Sequence, residues 1–286
     1  MPFSAQEGVL TTTVGRQGLL RYDFERVGAR TVLTQSSCTS PWHHFPPTYL
    51  DESGVAVVWL VNPSGGLVGG DQLSVEATLH ADAHVVITSP SANRVYRSQS
   101  EPALQSVRCS VGPGARLEWM PEGTIPFAGS RFSQSIQVDL APGSTLLLWD
   151  AMASGRIAKP ERWAFETYDN EIRLSTASGG SVVERFHLTP DTVGTLPRDW
   201  DYVASLFVLS DKVEGSRWAE LREDLAVRLE GMESDLLAGV SEPSMPGLVV
   251  KLMARSAPIL AQAQAILWGR TRMALFGLSM PVLRRY

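Results

Sequence analysis

The chain has 286 residues, of which 44% are hydrophobic and 19% charged, and its formal net charge is −5. That is ample material for a buried core, and the acidic balance lacks the basic footprint of a nucleic-acid binder. Two cysteines, Cys38 and Cys109, are too few for a disulfide framework and fit reduced thiols in a cytosolic protein. The first eight residues have neither the basic nor the apolar region of a signal peptide, and no run of about 18 apolar residues is present to span a membrane. The expectation is a cytoplasmic protein, without nucleic-acid or membrane partners, organised as one domain over residues 1–286.

In chain order, Gly18-Leu19-Leu20 opens a first strand. His43 and His44 follow, among Pro41, Pro46 and Pro47. Neighbours on a strand point to opposite faces, so the pair chelates one ion only where the backbone turns. It is a weak metal candidate, since stable structural sites need about four convergent ligands. Next comes Asn62-Pro63-Ser64-Gly65-Gly66-Leu67-Val68-Gly69-Gly70-Asp71-Gln72-Leu73. Glycine at this density is required where φ is positive or where another chain passes too close for a Cβ. A P-loop reading fails because Asp71-Gln72 stands where Lys-Ser or Lys-Thr is needed. A dinucleotide fingerprint fails because a strand follows (Leu73, Val75, Ala77, Leu79), not a helix.

The middle of the chain repeats a strand, a small-residue turn and a second strand. The turns are Leu79-His80-Ala81-Asp82-Ala83, Val111-Gly112-Pro113-Gly114-Ala115 and Leu140-Ala141-Pro142-Gly143-Ser144, offset by 32 and 29 residues. Pro-Gly suits a type II turn; the first copy lacks that chemistry. A period near 30 predicts stacked coils sharing one core, and a meandering two-sheet β fold is the alternative. Helical spacing appears only late. Trp218, Leu221, Leu225, Leu229 and Met232 line one face of a helix from Ser216, its expected N-cap, to about Gly231. A second helix is expected from Ser256, with Pro258 in its first turn, to near Gly277. Gly247–Met253 reads as a buried strand. The fold class is therefore mainly β: stacked strand-turn-strand units, solenoid-like or two-sheet, with two helices in the C-terminal third.

No G-x-S-x-G, H-E-x-x-H or C-x-x-C pattern is present. The remaining chemistry lies in Asp71, Glu118, Glu122, Asp150 and Glu161, all at expected strand ends or turns. Each can cap a turn or pair with Arg94, Arg97 or Arg156; several together would line a passage. Oxygen-donor carboxylates bind hard and borderline cations and release them more readily than thiolate cages do. The rival reading is a carbohydrate-active hydrolase using Asp150 and Glu161 as its carboxylate pair, with tryptophans as sugar platforms.

Four motifs in order carry a resemblance to a known family: the Gly65-Gly66…Gly69-Gly70-Asp71 loop; Thr88-Ser89-Pro90-Ser91-Ala92-Asn93-Arg94-Val95-Tyr96-Arg97-Ser98; Leu117-Glu118-Trp119-Met120-Pro121-Glu122-Gly123-Thr124-Ile125-Pro126-Phe127; and Asp150, Gly155-Arg156 and Glu161. Together they resemble the urease accessory protein UreD (UreH) family, and the likeness runs over nearly the whole chain. It implies a non-catalytic scaffold, or chaperone, for metallocentre assembly that binds apo-urease and the helical partner UreF. Through UreF it would recruit the GTPase UreG, and nickel would pass in transit to the urease active site, with no tightly bound cofactor. On this reading Gly65, Gly66, Gly69, Gly70, Asp71, Arg94, Tyr96 and Arg97 form a structural signature, and Asp71, Glu122, Asp150 and Glu161 are passage carboxylates. The chain departs from the family pattern at Pro121-Glu122-Gly123-Thr124, where the carboxylate stands one residue early, at Pro160-Glu161, and at Arg94, where lysine is usual. Trp42, Trp59, Trp163 and Trp200 are expected at edges or loops as contact residues, and the C-terminal helix with Arg284-Arg285-Tyr286 as a docking element.

Overall fold

Leu79, Val111 and Leu140, the residues that open the three repeated turns, are direct cross-strand partners in the computed structural model, which describes residues 15–194, 199–232 and 234–283. The repeat is thus a physical coil. β1 (Gln17–Val27) folds back as β2 (Arg30–Cys38), and β3 (Ala56–Trp59) crosses to a second sheet. The first coil runs β4 (Gln72–Leu79) to β5 (His84–Thr88) and returns through β6 (Asn93–Val95). The second runs β7 (Ala103–Val111) to β8 (Arg116–Met120) and returns through β9 (Thr124–Pro126). The third runs β10 (Arg131–Leu140) to β11 (Thr145–Ala153), and a small hairpin, β12 (Gly155–Arg156) and β13 (Glu161–Arg162), follows it. β14 (Thr167–Thr176), β15 (Ser181–Leu188) and the single turn α1 (Pro190–Val193) lead to β16 (Tyr202–Ser210), α2 (Gly215–Glu230), β17 (Leu236–Ser241), β18 (Gly247–Ala254) and α3 (Ala257–Phe276).

The first sheet has the order β15-β14-β10-β7-β4-β1-β2. Its five central strands are parallel, and antiparallel strands close both edges. The second has the path β17-β18-β16-β11-β8-β5-β3, parallel where the coils stack and antiparallel beyond β11. At the coil turns Ala83 N–H bonds His80 O, Ala115 bonds Gly112 and Ser144 bonds Ala141, at 3.1, 3.0 and 3.1 Å. Asp82, Gly114 and Gly143 take φ of +59°, +70° and +73°. The first copy therefore makes the same turn without Pro-Gly, because aspartate tolerates the left-handed region better than most side chains.

Two apolar layers result. One lies between the sheets and holds Leu146, Leu148 and Met152 of β11; the other lies between the second sheet and the helices and holds Leu147, Trp149 and Ala151. Strand alternation puts neighbouring β11 residues into different layers. Trp218, Leu221, Leu225 and Leu229 are the buried face of α2, as their spacing predicts. Its N-cap is Glu214, not Ser216, and no side chain caps it. α3 has Ser256 at its N-cap, proline in its first turn and a left-handed Gly277 at its C-cap. The single-turn α1 is an addition to the two expected helices. Trp42 belongs to the core, and Trp59, Trp163 and Trp200 are half-buried. The Arg284-Arg285-Tyr286 tail lies outside the described residues.

Candidate functional site: a polar seam between the sheets

The glycine loop and the Arg94–Arg97 segment form one structure. Leu67 N–H donates to Arg94 O at 2.7 Å and Tyr96 N–H to Leu67 O at 2.8 Å, extending the strand pairing of β6. A Cβ on Gly66, at φ +152°, would lie 2.3 Å from Arg94 O; one on Gly69 would lie 2.6 Å from Glu101 O. Both reasons for glycine thus operate in this loop. Tyr96 packs edge-on against Phe127 and its hydroxyl donates to Gly65 O at 3.3 Å, while the exposed Arg97 runs past Gly129. Asp71 is buried. Its Oδ1 accepts from Arg16 N–H at 2.8 Å and its Oδ2 from Val68 N–H at 2.9 Å, so it pins the loop to the start of β1.

Under this loop lies a cavity of about 140 Å³ with exposed Gly65 and Arg94 at its rim and buried Trp119, Gln134 and Ile136 at its floor. Glu122 and Asp150 both line it. A second cavity, of about 230 Å³, opens beside Leu260 and Gln264 of α3 and shares Ala92, Glu122 and Thr124 with the first. Glu122 thus stands where the two adjoin. It lies outside any strand, its N–H donating to Ser89 Oγ at 2.9 Å, so its one-residue offset from the family pattern does not turn it to the other face of a sheet.

Gln105, Gln134 and Asn170 occupy one row of β7, β10 and β14, in direct register. Asn93 Nδ2 donates to Gln105 Oε1 at 2.9 Å, Gln105 Nε2 to Gln134 Oε1 at 3.2 Å, and Gln134 Nε2 to Asn170 Oδ1 at 2.9 Å. The amide ladder ends on Asp150 of the opposite sheet: Gln134 Nε2 donates to Oδ1 and Asn170 Nδ2 to Oδ2, both at 2.9 Å. Burial pushes the Asp150 carboxyl above the usual carboxylate range, against the two amide bonds and the field of Lys251. Tyr168, pushed well above the ordinary tyrosine value by burial and by Asp150, closes the same region.

The other expected residues fall elsewhere. Glu161 sits on the β12–β13 hairpin, paired with Arg156 and accepting from Ala128 N–H at 3.4 Å; the Arg156 hydrogen bonds hold its carboxyl below the usual range. The cavity that Asp150 lines does not include Glu161. Glu118 faces the helices, not the seam. Fully buried, it accepts from His84 Nε2 at 2.7 Å and Trp268 Nε1 at 2.5 Å and pairs with Arg272 Nε at 3.0 Å, tying α3 to β5 and β8. Burial holds the His84 imidazole below its usual range, against the pull of Glu118. The His44 ring lies tilted against Tyr22 and bonds Ser36 Oγ at 3.2 Å, while His43 lies against Phe45. No group of three or more His, Cys, Asp or Glu is placed to hold a metal among the described residues. The ladder itself was legible only as polar residues in the core phase of a strand, such as Gln134 between Phe132 and Ile136.

Fold and site together define a stacked-coil β protein that carries a half-buried carboxylate at the end of an amide ladder. The chain matches the model of the UreD urease accessory protein family over residues 16–285. It is 32% identical to the urease accessory protein UreD of Cupriavidus necator over 279 residues, covering 96% of each chain. It is 34% identical to that of Deinococcus radiodurans over 276 residues (94% and 95%) and 31% identical to that of Haloarcula marismortui over 300 residues (100% and 98%). This chain belongs to the UreD urease accessory protein family. No helix among the described residues is long and apolar enough to cross a membrane.

Proposed function

We propose that this chain is a non-catalytic, cytoplasmic scaffold in urease maturation, binding apo-urease and UreF, recruiting the GTPase UreG through UreF, and helping to deliver nickel into the urease active site. The observation that carries the delivery part is the internal seam. The cavity under the glycine loop is lined by Asp150, Glu122, Gln105 and Gln134 among apolar side chains such as Trp119 and Ile136, and adjoins the second cavity at Glu122. Such oxygen donors suit a cation in transit: they bind hard and borderline dications without the retention of a thiolate cage. The relatives, named as urease accessory proteins, support the scaffold part. Asp71 acts here through the loop that roofs the cavity, and Glu161 through the hairpin beside it. Nucleotide hydrolysis falls to the partner, since the glycine loop has no phosphate-binding lysine.

The test is co-expression of this chain with a urease operon lacking its own UreD, followed by urease activity and co-purification of apo-urease and UreF. Restored activity with both proteins captured is the expected result. Absence of rescue, together with absence of capture of the cognate partners, would overturn the reading.

A further inference from the structure

Among the described residues, the cavity under the glycine loop is lined by a single Lys or Arg, Arg94, at its rim. Arg94 is the middle residue of β6 and stands opposite Ile125 of β9. Its carbonyl accepts the Leu67 N–H at 2.7 Å, and a Cβ on Gly66 would lie 3.0 Å from the Arg94 Cβ. The glycine loop thus packs directly on Arg94 and fixes the base of its side chain at the rim. The residue is exposed, and no carboxylate among the described residues lies within ion-pair distance of its guanidinium. Arginines on the strand and hairpin that follow are treated differently: Arg131 pairs with Glu166, Arg156 with Glu161 and Arg162 with Asp201. Arg97 is also unpaired, but it does not line the cavity.

A fixed positive charge at a cavity mouth raises the potential there, and low-dielectric walls focus it inward. A free dication approaching by this mouth meets that charge before it reaches the floor, where Gln134 holds Asp150. A carboxylate brought up by a docked protein removes the barrier. It matches the planar guanidinium fork and takes two parallel hydrogen bonds from it. We propose that Arg94 is an electrostatic gate on the seam. Unpaired, it turns free dications away; paired with a partner's carboxylate, it admits the ion which that partner delivers. An acidic side chain is the occupant that its free charge selects. This inference rests on the proposed delivery role and adds what makes delivery depend on docking.

The experiment compares nickel uptake by apo-urease held in complex with the full chain and UreF, for wild type, Arg94→Gln, Arg94→Glu and Arg94→Lys. Thermal unfolding of each variant checks the fold. One arm supplies limiting free Ni²⁺ without UreG; the other supplies Ni²⁺ on UreG with GTP. Without UreG, Arg94→Gln should raise uptake at least about threefold at low salt, and Arg94→Glu should raise it further. The gain should shrink as ionic strength rises. With UreG, the same two variants should lower uptake. Arg94→Lys keeps the charge and should follow wild type in both arms. Opposite changes in the two arms are a signature that a merely structural role does not produce. Folded Arg94→Gln with wild-type uptake from free Ni²⁺, or a gain that salt leaves unchanged, would overturn the gate. Asp150→Ala separates the two levels. If that variant captures the partners and still loads nickel normally from UreG, the delivery role itself fails. If it blocks that loading while Arg94→Gln matches wild type in the arm without UreG, only the gate fails.

Discussion

Glu118→Ala is the substitution whose effect follows most directly from the structure. Glu118 is 0% exposed and Arg272 1% exposed, and the carboxylate also takes the N–H groups of His84 and Trp268. Removing it leaves a guanidinium enclosed without its counter-charge and two donors without an acceptor. Breaking one partner of a buried pair costs about 3–5 kcal/mol. At about 2–3 °C per kcal/mol for a chain of this size, the unfolding midpoint should fall by roughly 6–15 °C. The double variant Glu118→Leu/Arg272→Leu removes both charges. It should recover part of the loss, because the uncompensated guanidinium is gone, while the His84 and Trp268 donors stay without an acceptor and the Arg272 bond to Ser279 O is lost. Thermal unfolding by circular dichroism gives the midpoints, and hydrogen exchange of α3 shows whether that helix loosens first. A fall of under about 2 °C in Glu118→Ala would refute the reasoning, as would a double variant no more stable than the single one.

Three further outcomes are expected. Gly66→Ala should cost at least about 2 kcal/mol, since its Cβ would sit against Arg94 O, whereas Gly239→Ala, with open space around it, should stay within about 0.5 kcal/mol; paired denaturant titrations compare them. Asp71→Ala strips the acceptor from two backbone N–H groups and should destabilise by about 2 kcal/mol, with proteolysis first appearing in the glycine loop. Asp150→Asn should raise the unfolding midpoint at neutral pH. Its carboxyl titrates higher in the folded than in the unfolded chain, so ionising it opposes folding. The gain is full above the folded value and should vanish below the unfolded value near about 3.9; midpoints measured from pH 4 to 8 check the sign.

The coils were legible because their turns repeat. Leu79, Val111 and Leu140 sit at one register, and a period of about 30 residues was enough to find it. Trp218 to Leu229 and the caps at Ser256 and Gly277 were legible from helical spacing and terminal chemistry. The face of each carboxylate was not. Glu118 and Asp150 both lie on central strands between apolar neighbours, yet one turns to the helices and the other to the opposite sheet. Only the pairing of β8 and β11 inside the second sheet decides that, and local sequence does not encode it. The ladder was hidden for a related reason: Gln105, Gln134 and Asn170 are 29 and 36 residues apart and meet only after the coils stack.

The central claim is that nickel reaches urease through the seam that Asp150 ends. The most direct test is the nickel content of urease purified from cells whose own UreD is replaced by this chain, wild type or Asp150→Ala, with capture of apo-urease and UreF measured in the same preparations. The account predicts equal capture, with nickel and activity restored by wild type and largely lost with Asp150→Ala. Equal capture and equal nickel in both would contradict it.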